Sequence, residues 1–385
     1  MIPYGRQDIS DADVQAVVNV LRSDFLTQGP VVPLFEAVVA DYCHAQHAVA
    51  VNSATSALHI ACLALGVGPG DVVWTSPITF VASANCALYC GAQVDFVDID
   101  PSNYNLSAER LAEKLAHAER EGRLPKVVIP VHMGGESCNM VDIHLLSQRY
   151  GFKVIEDASH AIGGRYEGEP VGCGRYSDIA VLSFHPVKVI TTAEGGIALT
   201  NDATLAKRMR SMRSHGITRE PADMTQAPDG PWFYQQVELG FNYRLTDVAA
   251  ALGMSQMTRV DEFVATRHRI AKRYDAALAP LPLRTPVRSA AARSALHLYV
   301  IRLQLAEMKK SHLEVFTELR AAGIGVNVHY IPVYQHPYYQ RMGFDRSLWP
   351  EAERHYAEAI SLPIYTRLTD ELQGRVINAL TEVLR

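Results

Sequence analysis

AVAVNSATSALHIACLALGVGPGDVVWTSPITFVASANCALYCGAQVDFV, residues Ala48–Val97, is the stretch that sets the architecture. A short β-rich run, Ala48–Asn52, leads into helical periodicity over Thr55–Leu65, which stops at Gly66. Val72–Thr75 is again strand-like, Phe80–Tyr89 helical and Val94–Val97 strand-like. Strand runs alternating with apolar helical stretches predict a mostly parallel sheet with helices on both faces. The glycines of Gly66–Gly70 follow a helix and lack the G-x-G-x-x-G spacing, so they stop a helix. No G-x-x-x-x-G-K-[ST] is present, which disfavours nucleotide P-loop sites.

The alternation continues outward. A helix is expected from Ser107 through Ala118, a strand at Val127–Val131, a helix at Val141–Tyr150 and a strand at Lys153–Glu156. Ile179–Phe184 and Gly196–Thr200 read as a late hairpin or as neighbouring strands. Thr218–Trp232 has three prolines and no apolar periodicity, which fits a long loop, either a lid or plain surface. Helical patterns follow at Thr246–Met257 and Thr258–Ala279. Then come a strand at Leu296–Leu303, a helix at Met308–Ala322, a strand at Gly325–Val328 and a helix at Asp370–Leu384. The expected organisation is an α/β chain with a large domain over 1–255 and a smaller α+β domain over 256–385.

Composition narrows the function classes. The 385 residues carry 36 basic and 41 acidic side chains, a net charge of −5, which leaves no basic face for nucleic acid. The longest apolar stretch, Ala57–Val67, contains His59 and is too short to span a bilayer. The N-terminus lacks the apolar core of a secretory signal. None of the six cysteines forms a C-x-x-C pair, so a reduced, cytoplasmic setting is expected. His44 and His47 have no further ligand at metal spacing, and no metal is expected.

Three sites follow strands, where ligands of open α/β sheets bind. Asn52-Ser53-Ala54-Thr55-Ser56 stands at a strand-to-helix turn, where free backbone N–H groups and the helix dipole suit a phosphate. Plain N-capping by Ser53 or Thr55 explains the same residues. Asp157 ends the strand Lys153–Glu156, facing either the ligand crevice or a turn. Lys188 follows an apolar strand and Pro186 and lies among β-branched residues. Desolvation there lowers an amine's pKa and makes it a nucleophile toward carbonyls. A phosphate cradle, a carboxylate and a desolvated lysine together are what pyridoxal 5′-phosphate requires.

Several motifs carry a family resemblance over almost the whole chain. They are Leu26–Pro30, Asn52–His59, Ser76–Phe80, Glu156–Ala161, Ser183–Lys188, Glu194–Gly196 and Gly240–Arg244. Jointly they resemble the DegT/DnrJ/EryC1/StrS sugar aminotransferases, with the fold-type-I architecture of aspartate aminotransferase. The resemblance implies covalent attachment of the cofactor to Lys188 and a pyridine-nitrogen partner in Asp157. It implies His160 at the cofactor's phenolic oxygen, where many relatives have Gln, and Phe80 stacked on its ring. Thr55, Ser56 and Ser183 are implied to hold the phosphate, with Asn242 reaching in from the partner subunit of a homodimer. Arg244 is a weaker candidate for the same site. His329 and Tyr330 resemble a sugar-nucleotide contact segment, though a polar end to the strand Gly325–Val328 also explains them. Tyr4 and Arg6 fit either nucleotide contact or surface packing. The substrates implied are L-glutamate and a nucleotide-linked 4-keto-6-deoxy sugar. Ile2–Gln7 and Val73–Pro77 narrow this to enzymes aminating C4 of a UDP-linked 2-acetamido-2,6-dideoxy sugar. Neighbouring GDP-, dTDP- and UDP-sugar specificities are the alternatives. Lys188 argues against the dehydratase relatives, which have His there. A non-enzymatic regulator would carry a helix-turn-helix, for which a resemblance starting at Ile2 is expected to leave no room.

Overall fold

The computed structural model describes all 385 residues. Seven strands form the central sheet: β1 (His47–Val51), β2 (Val72–Thr75), β3 (Gln93–Phe96), β4 (Val127–Ile129), β5 (Lys153–Asp157), β6 (Ile179–Ser183) and β7 (Gly196–Thr200). Their spatial order is β1-β7-β6-β5-β4-β2-β3. Only β7 runs antiparallel to its neighbours, β1 and β6, so the late pair is a set of adjacent strands with a long connection. Every residue of β6 and β7 is buried, as expected of a sheet covered on both faces. Parallel pairing puts the carboxyl ends of β1 and β2 through β6 along one edge. Gly196, at the amino end of β7, pairs with both Val51 and Ser183 and so sits on that edge too.

The helices between the strands begin where the sequence supplies caps. Ser53 caps Ala54–Ala64, and Ser107 caps Ala108–Glu121, which ends on Gly122 in the left-handed region. Two N-terminal helices, Asp11–Leu21 and Val31–Cys43, add to the expected pattern. The first carries a capping box, Ser10 with Asp13. The second starts without a cap of its own. Instead the fully buried Asp247 accepts from the N–H groups of Gly29, Val31 and Val32, at 2.7–3.1 Å.

The smaller sheet is Leu283–Arg284, Tyr299–Leu303 and Ala359–Leu362, backed by Val260–Leu278 and Asp370–Leu384. The strand expected from Leu296 starts only at Tyr299. The cause is Arg267, a buried guanidinium whose Nη1 donates to the carbonyls of Leu296, His297 and Ile364 at 3.0–3.3 Å. Those carbonyls are then spent outside a ladder, and Leu296 takes φ 51°. The helix expected from Met308 starts at His312, where Ser311 and Glu314 form a capping box. Gly325 pairs, with Ile324, against Ile2–Pro3, and the strand does not continue to Val328. Chain order and core do not coincide. Tyr334, Tyr339 and Trp349 belong to the 39-residue apolar cluster that includes β2 and β3 residues. Trp349 Nε1 donates to Phe96 O at 3.0 Å, and Asp98 caps the helix Pro350–Glu358 through the amides of Glu351 and Ala352. All six cysteines are free thiols. No helix is long and apolar enough to cross a membrane.

Candidate active site

The carboxyl edge of the sheet opens into a cavity of about 870 Å³. One side is the start of the helix Ala54–Ala64. Ser53 Oγ accepts from the Ser56 amide at 3.1 Å, while Ser56 Oγ donates to Asn52 Oδ1 at 2.6 Å. With the Ser56 proton committed, Ser53 Oγ donates to Ser56 Oγ at 3.0 Å. Capping and anion binding therefore coexist here. Ser53 and Ser56 close the cap, and Ala54 and Thr55, whose first-turn N–H groups have no partner inside the helix, line the cavity. Ser183 adds its hydroxyl from the end of β6. Gly196 permits this approach, because a Cβ there would stand 2.4 Å from Ala54 N. Gly196→Ala is expected to displace the helix start. It should lower the melting temperature by several degrees and weaken phosphate binding, read by calorimetry and pyridoxal phosphate titration.

Asp157 ends β5, almost fully buried. Its Oδ2 accepts from Ser83 Oγ at 2.6 Å and its Oδ1 from the Ser159 amide at 3.2 Å. Glu156 points to the opposite face, where it accepts from His132 Nε2 at 2.8 Å and from Ser177 Oγ at 2.5 Å. His132 must be the donor, since its Nδ1 accepts from the Cys138 amide at 3.1 Å. Lys188 comes from the loop between β6 and β7. Thr191 Oγ1 and the Thr192 amide both donate to Phe184 O, at 2.9 and 3.0 Å, which folds that loop back over the buried Phe184. Lys188 is half-buried as a residue, its amine is set inside the cavity wall, and it makes no ion pair. Desolvation pulls it down to about 8, against the opposing attraction of Asp157.

The opposite wall is aromatic and polar. His160 Nδ1 accepts from the Gly134 amide at 3.3 Å, so Nε2 carries the proton and donates to Tyr330 Oη at 3.2 Å. Burial and the Lys188 charge push His160 well below the usual imidazole range, so it remains a neutral donor. Burial and Lys188 also take His329 down to about 3. His329 Nε2 faces the Asn327 amide nitrogen at 3.5 Å, and Nδ1 donates to Ser361 Oγ at 2.7 Å. Tyr4 lies against His329 with ring centroids 5.2 Å apart. Phe80, 60% exposed, stands at the cavity wall 6.5 Å from the Tyr330 ring.

Of the residues singled out in the sequence, nine share this cavity. Thr55, Phe80, Asp157, His160, Ser183 and Lys188 do so from the large sheet's side, and Tyr4, His329 and Tyr330 from the other. Ser56 is buried in the cap network and does not line it. Arg6 and Asn242 are exposed elsewhere in this chain. His297 was missed. It lines the cavity, lies against His160 with ring centroids 4.5 Å apart and the rings tilted by 45°, and has a sealed Nδ1 without a partner. Its only sequence signal was a histidine inside the apolar run Leu296–Leu303. His44, considered for a metal, pairs with Glu169 at 3.1 Å.

These features fit pyridoxal phosphate: an unpaired, desolvated amine, a buried carboxylate and a helix start with free amides meet in one cavity. The chain is 36% identical over 369 residues to UDP-4-amino-4,6-dideoxy-N-acetyl-β-L-altrosamine transaminase of Campylobacter jejuni, covering 96% of this chain and 93% of that one. It is also 36% identical over 387 residues to the spore coat polysaccharide biosynthesis protein SpsC of Bacillus subtilis, covering 100% and 97%. Among solved structures, Helicobacter pylori PseC, an aminotransferase involved in pseudaminic acid biosynthesis, superimposes with a TM-score of 0.91 at 29% identity, covering 100% and 99%. With the family model matched over residues 7–381, the chain belongs to the DegT/DnrJ/EryC1/StrS aminotransferase family and takes pyridoxal 5′-phosphate as its cofactor.

Proposed function

We propose that this chain moves the amino group of L-glutamate to C4 of UDP-2-acetamido-2,6-dideoxy-β-L-arabino-hex-4-ulose, giving UDP-4-amino-4,6-dideoxy-N-acetyl-β-L-altrosamine, a precursor of pseudaminic acid. The observation supporting the amino-transfer chemistry is the placement of Lys188, free of any ion pair, in one cavity with Asp157 and the helix start at Ala54, and the choice of sugar rests on the 36% identity to the altrosamine transaminase. Bound pyridoxal phosphate supplies an electron sink that lets the donor's Cα–H bond break. Asp157 holds a proton on the ring nitrogen. Lys188 anchors the cofactor covalently and, once released, moves a proton from the donor Cα. The amides of Ala54 and Thr55, with the hydroxyls of Thr55 and Ser183, hold the phosphate. His160 would have to turn its Nε2–H from Tyr330 Oη, which it meets at 3.2 Å, to the phenolic oxygen, and Phe80 would lie against the ring. Tyr4, His329 and Tyr330 would form the polar wall for the sugar nucleotide, and Arg6, which lies outside the cavity, would meet only a part of the nucleotide that extends beyond it.

Asn242, exposed in its own chain, completes the partner subunit's phosphate site in a cytoplasmic homodimer. Asn242→Ala is expected to bind cofactor about 10- to 100-fold more weakly while remaining dimeric, as losing one hydrogen bond to a charged group predicts. Light scattering during turnover checks this, and a fully active monomer would refute it. Equal identity to the spore coat protein favours a second reading, another nucleotide-sugar 4-aminotransferase specificity. A turnover screen of nucleotide 4-keto sugars with glutamate, read by mass spectrometry, separates the two. The UDP-linked acetamido sugar is expected to react fastest.

A further inference from the structure

The Ser83 hydroxyl has one proton and three acceptors within reach: Asp157 Oδ2 at 2.6 Å, Thr79 Oγ1 at 2.8 Å and Phe80 O at 3.4 Å. The shortest contact, to a carboxylate that only accepts, takes the proton. Ser83 is therefore not spent on its own helix, Ala82–Tyr89, whose N-terminus has no side-chain cap. Thr79 Oγ1 lies 2.8 Å from Ser83 Oγ, and with the Ser83 proton committed Thr79 must be the donor. Both hydroxyls are buried, Ser83 at 0% and Thr79 at 2% exposure, and Thr79 forms part of the cavity wall. The direction is thus settled by chemistry: Thr79 donates to Ser83, and Ser83 to Asp157.

We propose that Thr79 and Ser83 are positioning residues, a two-hydroxyl chain that pins the Asp157 carboxylate through Oδ2 and so holds it in one orientation toward the cavity. Pinning Oδ2 fixes the plane of the carboxylate. It leaves Oδ1, which has only the long 3.2 Å amide contact, as the less committed oxygen. Each donor in the chain polarises the next, so the Thr79 hydroxyl strengthens the contact it does not itself make. This inference rests on Asp157 being the partner of the ring nitrogen.

The test uses holoenzyme reconstituted with pyridoxal phosphate carrying ¹⁵N in the ring. Ser83→Ala should move the ring ¹⁵N resonance toward the unprotonated position and lower kcat about 10- to 100-fold, the scale of one hydrogen bond to a charged group. The KM for the sugar nucleotide should stay within about two-fold, since Ser83 does not line the cavity. Thr79→Val, nearly isosteric, should shift the resonance in the same direction by less. It should lower kcat about two- to five-fold, and it keeps the test valid if Ser83→Ala fails to fold. Ser83→Thr, which restores the donor, should recover the wild-type resonance. Asp157→Asn serves as the control. If it loses activity while Ser83→Ala and Thr79→Val keep both resonance and kcat, the hydroxyl chain is refuted and the role of Asp157 stands. If Asp157→Asn itself behaves as wild type, the assignment of the acid fails and this inference with it.

Discussion

Lys188→Ala is expected to lower turnover by roughly 10⁴-fold or more, because it removes a nucleophile and the group that moves the proton. The variant should still fold. The side chain is half-buried and without an ion pair, so its loss strands no partner. Borohydride should fix the cofactor of the wild-type protein to the peptide carrying Lys188 and fix none in the variant. Lys153 and Lys207 offer no comparable amine, the first paired with Asp178 and the second with Asp223. Labelling at either would overturn the assignment. The reaction has a predictable pH dependence. Desolvation takes the amine down to about 8, and only the neutral form attacks an aldehyde. The rate at which apoprotein captures pyridoxal phosphate should therefore rise with pH and reach half its plateau near 8. An ordinary exposed lysine would reach that point near 10.4.

Asp157→Ala should bind cofactor but turn over about 10²- to 10⁴-fold more slowly, the range spanned by a single positioned proton-handling group. The phosphate cradle at Ala54–Thr55 lies on β1's side of the sheet and is untouched by this change, so the loss should appear in kcat rather than in cofactor affinity. Removing the carboxylate also leaves the Ser83 hydroxyl without its acceptor. A modest loss of thermal stability, about 1–3 kcal/mol, is expected with it. Glu156 cannot substitute. It lies on the other face of β5, committed to His132 and Ser177. Wild-type turnover at saturating cofactor would mean that another acid serves the ring nitrogen.

Lys188, Asp157 and the helix start at Ser53 were legible in the sequence because each signal is local. A strand followed by a capped helix, an acid at a strand end and a lysine after an apolar strand are read within about ten residues. The same locality explains errors of extent. Leu296–Leu298 looks like strand until Arg267, 29 residues earlier, takes the Leu296 carbonyl. The helix Val31–Cys43 has no cap in its own neighbourhood because Asp247 supplies one from more than 200 residues away. The capping box at Ser10 and Asp13, by contrast, was a local signal for the first helix and could have been read.

By itself, the sequence determined the alternating α/β order, the parallel sheet with its ligand edge, and which residue types meet the needs of pyridoxal phosphate. Periodicity and capping act over a few residues, so the local chain encodes them. Only the tertiary structure decided which polar atoms face each other: Ser83 on Asp157, Tyr330 on His160 across 170 residues, and His297 tilted against His160. Ser56, by contrast, is kept out of the cavity by a local contact, donating to Asn52 four residues before it, while Asn242 lies on the surface. The physical reason is that a side chain's hydrogen bonds depend on orientation to within about an ångström, and packing between distant segments sets that orientation.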